Sequence, residues 1–456
     1  MDQNLAERCA AAGIATQYRD GDGVEHVPSP EALEAVLGAL TTESGGETAT
    51  IVDADRHIER LFHHLPERPT ALTTEAGETI SVDVHEGLVA IPPLPAGYHV
   101  LHAGDREIPV LATPARTYCP APWPRGKAWG LQVQLYGLRG STTKPIGDLG
   151  DLTELGRIAT DAGASFIGIN PLHTLFPEWP TARSPYSPSS RLFLNPIYLD
   201  TTSFPGGDVT DGGDGDLIDY SAAWQRKSAA FKAAFEAFDG DAAFDSWRRE
   251  QGEALERHAV FKALSQHFAA KPWTEWPEEF RDPNSQTVSD FGAENAEAVT
   301  YAAWLQWQCA LQLDAAAEAA PDFGLYRDLA VGADRAGSEY WGQQDLFAAT
   351  LDVGAPPDGF SPNGQNWGLP PLKPAALRTQ AGLDHFRRLI GANMAGSGLL
   401  RIDHAFQLER LFVVPHGFEN REGTYIAYPL DLLLAVLKIE SHRHRCIVVA
   451  EDLGTP

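Results

Sequence analysis

The residues best suited to chemistry lie near the end of the sequence, in Gly398-Leu399-Leu400-Arg401-Ile402-Asp403-His404-Ala405-Phe406. An apolar run leads to a carboxylate, with Arg401 two residues earlier. Side chains at i and i+2 share one face of a strand, so Arg401 and Asp403 are expected side by side. A guanidinium there holds the carboxylate ionised, the state that a nucleophile or a transition-state anion needs. A second strand, Cys446-Ile447-Val448-Val449-Ala450, also ends on acids, Glu451 and Asp452. Between them, Pro429 to Glu440 reads as a helix with Leu433, Val436 and Leu437 on one face. The cationic patch His442-Arg443-His444-Arg445 suits its C-terminus. This is strand–helix–strand with acids at the C-terminal strand ends, where a parallel α/β barrel gathers its catalytic groups. The same residues also read as structural, salt-bridged acids, and here both readings are open.

The elements that would position these groups begin at Trp129. Leu131 to Tyr136 reads as a first strand, Asp148 to Ala162 as a helix, and Ser165 to Asn170 as a second strand. Repetition of strand and helix with short loops predicts a parallel sheet or barrel. The next loop, Ser184-Pro185-Tyr186-Ser187-Pro188-Ser189-Ser190-Arg191, is stiffened by proline and offers the Tyr186 ring and hydroxyl to a polar ring such as a pyranose. Residues 219–318 read as a helical insertion, and Trp273, Trp276, Trp304 and Trp307 within it as core. Leu325 to Val331 reads as the third strand. A Gly- and Pro-rich stretch from Val353 to Pro370 follows, with Gln365 and Trp367 bracketed by glycines; it suits an active-site lid or an ordered surface loop. A helix bearing Phe386, Leu389, Ile390 and Met394 then returns to the strand ending at Asp403.

Ahead of these elements the texture differs. Residues 1–65 read as a small helical module, with helices over Leu5–Ala12 and Pro30–Leu40 and a turn at Asp20-Gly21-Asp22-Gly23. Residues 66–115 alternate, as in Thr79-Ile80-Ser81-Val82-Asp83-Val84, and fit a small β-sandwich. Pro114 to Pro124 reads as a boundary, so the catalytic part is expected over 116–456. The Asp/Gly run at 207–216 misses the spacing of a calcium loop and reads as solvated.

The chain has 456 residues, long enough for two or three domains, and 43% of them are hydrophobic, ample for a core. Its 35 basic and 62 acidic residues give a net charge of −27, which disfavours nucleic acid or an anionic membrane as partner and leaves a neutral sugar compatible. The cysteines at 9, 119, 309 and 446 lack CxxC or metal-ligand spacing and suggest thiols in a reducing cytosol. The N-terminus lacks the apolar core of a signal peptide, and no apolar run approaches a membrane span. A cytoplasmic protein is expected.

Acids at strand ends with aromatic and amide-bearing loops suit glycoside chemistry. No phosphate-binding or dinucleotide-binding glycine loop and no HExxH is present, so no cofactor or metal is expected. Retaining cleavage needs an ionised nucleophile and a protonated acid roughly 5–5.5 Å apart, a spacing that neighbouring barrel strands can supply.

The stretches VQLYGLR, IGDLGDL, SPYSPSSR, GLYRDLAVG, GAPPDGFSPNGQNWGLPP, LLRIDHAF and VVAEDLGTP stand in one order over most of residues 129–456. In them the chain resembles the 4-α-glucanotransferases (amylomaltases, or disproportionating enzymes) of glycoside hydrolase family 77, and most of all the bacterial subgroup with an N-terminal extension. The resemblance implies a (β/α)8 barrel enzyme that moves α-1,4-glucan segments between maltooligosaccharides by a retaining double displacement. It implies Asp403 as nucleophile, Glu451 as acid/base and Arg401 as the residue orienting the nucleophile. Ser184, Tyr186, Gln365, Trp367 and Asp452 would bind the glucan. Two other readings are a glucan hydrolase of the same clan and a non-catalytic glucan-binding remnant. The family's third carboxylate, in a His-Asp pair after strand seven, has no counterpart before Pro456, so about five barrel strands and a truncated chain are expected.

Overall fold

A computed structural model describes residues 2–41, 49–56, 58–61, 70–85, 88–120, 127–140, 144–176, 179, 182–204, 207 and 217–453. Most of the Asp/Gly run at 207–216 lies outside the described residues. The fold is α/β. Compactness divides the chain into two bodies, one of residues 121–344 and 395–403, the other of 1–120, 345–394 and 404–456. This grouping differs from a division at 65 and 115. Residues after 344 join the N-terminal ones because they share a sheet and its core, as described below.

In the first body four strands run parallel in the order β1 (Gly130–Val133), β2 (Phe166–Ile169), β3 (Leu325–Leu329), β4 (Leu399–Ile402). Parallel strands covered on both faces need near-continuous apolar sequence, and Ile167, Ile169, Leu325, Leu329, Leu399 and Leu400 are all buried. The first strand is shorter than expected. Asn170 Oδ1 accepts the Leu135 N–H at 2.7 Å, which takes that amide out of the ladder, and Leu135–Gly137 turns as a 3-10 helix. Gly398 opens β4 beside the Phe323 carbonyl, where a Cβ would come within 1.6 Å of the oxygen. Between β2 and β3 lie the helices Tyr220–Glu236, Ala242–His267, Gln286–Glu294 and Ala296–Ala319. Trp273, Trp276, Trp304 and Trp307 are buried among them.

The helix Leu149–Asp161, between β1 and β2, starts on a charged knot. Asp148 caps it by accepting the Gly150 and Asp151 N–H groups, and Asp151 returns the contact to the Asp148 N–H. Lys144 Nζ lies 2.9 Å and Lys227 Nζ 3.3 Å from the Asp148 carboxylate. Burial pulls the Lys227 ammonium below its ordinary pKa, against the opposing pull of Asp148. Asp148→Ala removes the cap and strands a buried cation, so a loss of about 3–5 kcal/mol is expected in urea unfolding. A loss under about 1 kcal/mol would show that the knot relaxes without its centre.

The second body opens with the helices Gln3–Ala11 and Pro30–Leu40; Ser29 caps the latter and Pro30 takes its first position. Two sheets follow. The larger runs in the order Thr50–Asp53, Arg106–Thr113, Gly97–Ala103, Thr70–Thr73, Thr79–Val82; the smaller in the order Ile58–Leu61, Leu88–Ile91, Val84–His85. Val52, Leu72, Val89, Ile91, Leu101 and Val110 form one core. The strands begin at Thr50, ahead of the expected boundary at 65, because Thr50 and Val52 turn inward while Asp53 stays exposed.

This body also holds a four-stranded antiparallel sheet in the order Gln365–Asn366, Leu351–Ala355, Arg410–Pro415, Thr424–Ala427. The stretch read as one loop from Val353 to Pro370 therefore begins as a strand and folds back as a hairpin. Tyr18 packs on Phe412 and Val414, and Ile14 bridges to Ile426, so the N-terminal segment completes the core of this sheet. The helix Leu430–Arg443 leads to strand β5 (Ile447–Ala450). Cys9, Cys309 and Cys446 are buried, Cys119 is exposed, and all four are free thiols. Among the described residues no helix is long and apolar enough to cross a membrane.

Candidate active site

In the first body the chemistry gathers at the ends of β3 and β4. Asp328 and Arg401 are register partners across the two strands, and Asp403 follows the last residue of β4. Arg401 Nη1 lies 2.7 Å from Asp328 Oδ1 and Nη2 lies 2.8 Å from Asp403 Oδ1, so one guanidinium bridges two carboxylates. The Asp403 N–H still donates to the Leu329 carbonyl at 3.0 Å, which fixes the backbone from which its side chain leaves the sheet.

The two acids are not equivalent. The Asp328 side chain is 10% exposed and the Asp403 side chain 22%. Tyr186 closes over the first: its hydroxyl donates to Asp328 Oδ2 at 2.7 Å. Burial raises the pKa of Asp328, and hydrogen bonds from Tyr186 and Arg401 oppose that rise. Burial also raises the Tyr186 phenol, reinforced by its bond to Asp328, so it stays a neutral donor. For Arg401 burial acts downward, but Asp328 and Asp403 carry it above its ordinary value and keep it charged. Asp403 thus has a fixed cation on one side and the more open face.

The loop carrying Tyr186 is itself tied down. Ser184 Oγ accepts the Tyr186 N–H at 3.3 Å, and Ser187 donates to Asp334 at 3.1 Å. Farther along, Arg191 and Glu339 form a buried ion pair at 2.6 Å. Ser184 therefore supports the loop conformation in addition to any contact with a ligand.

In the second body Glu451 follows β5. Its Oε2 accepts the His404 N–H at 3.0 Å, its Oε1 the Leu453 N–H at 2.7 Å, and its carbonyl the Ala405 N–H at 3.1 Å. These bonds hold the turn after Asp403 against the end of β5. His404 is left-handed, with φ 47°, a conformation rare outside glycine, asparagine, aspartate and histidine. Its ring meets Trp367 edge to face at 5.6 Å. Trp367 Nε1 donates to Gln365 Oε1 at 3.0 Å, so the two expected binding residues hold each other. Gly364 and Gly368, both with positive φ, set the hairpin that presents them. Asp452 is exposed beside Glu451.

The structure therefore brings Arg401, Asp403 and Tyr186 together around Asp328, with Ser184 bonded to the Tyr186 backbone. It sets Gln365, Trp367, Glu451 and Asp452 in the second body, with His404 touching both Trp367 and Glu451. Asp328 was not among the residues the sequence singled out. Its signal was an acid in a strand otherwise buried, a placement that costs stability without a cationic partner. Among the described residues no group of histidine, cysteine or acid side chains could hold a metal ion.

Parallel strands ending on acids in an α/β chain are compatible with glycoside chemistry, and comparison with known proteins gives the class. The 4-alpha-glucanotransferase profile of glycoside hydrolase family 77 matches residues 133–456. The chain is 31% identical to the 4-alpha-glucanotransferase of Haemophilus influenzae, over all of this chain and 72% of that protein. It is 33% identical to the 4-alpha-glucanotransferase of Mycobacterium tuberculosis, over 99% of this chain and 72% of the relative. Among solved structures, the amylomaltase of Corynebacterium glutamicum superposes with a TM-score of 0.83 at 25% identity, over 99% of this chain and 72% of that one. The chain belongs to the 4-alpha-glucanotransferase family, glycoside hydrolase family 77. Its activity is glucan transglycosylation.

Proposed function

We propose that transfer runs by double displacement on α-1,4-glucans in a (β/α)-barrel framework, with Asp403 as nucleophile and Glu451 as acid/base. The observation that carries this reading is the Arg401 bridge, which leaves Asp403 the more open of two paired acids. Asp403 attacks the anomeric carbon and the bond from C1 to the bridging O4 breaks. Glu451 gives its proton to that oxygen, and the reducing-end fragment leaves. The 4-hydroxyl of an acceptor glucan then attacks the same anomeric carbon as Glu451 takes its proton, and the bond from C1 to the Asp403 oxygen breaks, freeing Asp403 as carboxylate. Two inversions give net retention.

Arg401 orients Asp403 and balances its charge. Tyr186 and Ser184, Gln365 and Trp367, and Asp452 supply glucan contacts. Maltotriose tests the whole reading: transfer yields a ladder of longer and shorter oligomers with the number of glycosidic bonds conserved. Glucose and maltose alone would mean hydrolysis, and an unchanged trisaccharide would mean a binding protein.

Trp367 is read as an aromatic surface for the acceptor sugar. Trp367→Ala is expected to raise the acceptor KM roughly tenfold, on the scale of losing an aromatic anchor. It should also raise the ratio of hydrolysis to transfer, because water reaches the ester more readily. Glucose release against oligomer formation measures both. Unchanged KM and unchanged product ratio would remove Trp367 from the acceptor side.

A further inference from the structure

Three helices of the insertion between β2 and β3 line one cavity, and two of them turn polar stripes toward it. Tyr220–Glu236 contributes Trp224, Ser228 and Lys232, spaced four apart. Ala242–His267 contributes His258, Lys262 and Gln266, again four apart. Ala296–Ala319 adds Tyr301 and Leu305. Residues spaced by four share a helix face, and an inward face is ordinarily hydrophobic. These stripes instead line a cavity of about 160 Å³, room for on the order of ten waters. No acid is among its described lining residues, in a chain with a net charge of −27.

His258 supplies the second observation. Only 3% of the residue is exposed, and its ring stacks on Phe193 at 4.3 Å. Nδ1 is 2.8 Å from the Ser338 hydroxyl, and Ser338 Oγ in turn accepts from the Ser189 hydroxyl at 3.5 Å. In the tautomer in which the Ser338 hydroxyl donates to Nδ1, the ring proton sits on Nε2. Burial, with the neighbouring Lys262 charge, depresses the imidazole to about 3, so the ring is neutral. Nε2 has no hydrogen-bond partner among the described residues and belongs to the ring edge that lines the cavity.

We propose that this cavity is a binding site for a hexose monophosphate, separate from the glucan site. The Lys232 and Lys262 ammonium groups and the His258 N–H suit the oxygens of one phosphate. Trp224 and Tyr301 give the faces a pyranose ring packs on, with Ser228 and Gln266 for its hydroxyls. The Ser189 end of the relay lies three residues from Tyr186, so occupancy reaches the loop that covers Asp328.

Calorimetric titration of the full chain tests this with glucose 6-phosphate, glucose 1-phosphate, inorganic phosphate and glucose. At least one hexose phosphate should bind saturably, at least tenfold tighter than inorganic phosphate, with glucose showing no heat of binding. The double variant Lys232→Ala/Lys262→Gln should weaken that binding at least tenfold while maltotriose disproportionation persists, which shows that the variant is folded. Asp403→Asn should bind the hexose phosphate as the unmodified chain does. The proposal is overturned if neither hexose phosphate binds, or if the double variant binds equally well. Inorganic phosphate binding as tightly, glucose binding as tightly, or loss of binding in Asp403→Asn would overturn it too.

Discussion

Asp403→Asn is expected to abolish glucan transfer while glucan binding stays within a few-fold of normal. The amide keeps the size of the carboxylate and can still face Arg401, but it cannot form the ester. A loss of about three orders of magnitude or more in kcat is the scale for removing a group that acts on the reacting atom. The Arg401 contact at 2.8 Å shows where the change falls: the guanidinium keeps its bond to Asp328, so the cluster retains an ion pair. Titration with maltooligosaccharide gives the binding, and single-turnover assays give the rate. Labelling with a slow fluorinated glucosyl donor, followed by peptide mapping, should place the ester on Asp403. An ester on another carboxylate would overturn the assignment.

The second large effect is expected at Glu451. Glu451→Gln should slow transfer from maltooligosaccharides by about two to four orders of magnitude, the usual worth of a positioned acid/base. With α-glucosyl fluoride as donor the first step should survive, since fluoride leaves without a proton, and the ester should accumulate for want of a base. A fluoride burst stoichiometric with enzyme, followed by slow turnover, is the expected trace. The substitution has a structural cost. Gln offers one oxygen where Glu451 uses two, so one of the His404 and Leu453 amides loses its acceptor. Melting temperature separates that cost from the chemistry. Equal losses on both donors would place the acid/base role elsewhere.

Much of this arrangement could be read from local pattern. The strands that lead to Asp403 and Glu451 open on apolar residues and are followed by acids, and the Arg401–Asp403 pairing follows from the two-residue period of a strand. Asp328 escaped because its meaning is non-local. Only the register of β3 on β4 places it opposite Arg401, and register is set by pairing rather than by either segment alone. The antiparallel sheet escaped for a similar reason. Leu411 to Pro415 is an apolar run, but its partners are Leu351–Val353 on one side and Thr424–Ala427 on the other, and prolines and glycines flank the first. Tyr18, far away in sequence, completes the core of that sheet, so a boundary drawn from composition near residue 65 could not show it.

The bridge from Asp328 through Arg401 to Asp403 has a consequence for the proposed cycle as a whole. The negative charge on Asp403 disappears when the ester forms and returns when it breaks, once each per transfer. A cation with a single partner would be left uncompensated for the lifetime of the ester. Arg401 always has its other carboxylate. Asp328 therefore works as a standing counter-ion, and the guanidinium remains neutralised at both ends of each half-reaction. The electrostatic swing felt by the surrounding protein is confined to the one acid that meets the sugar.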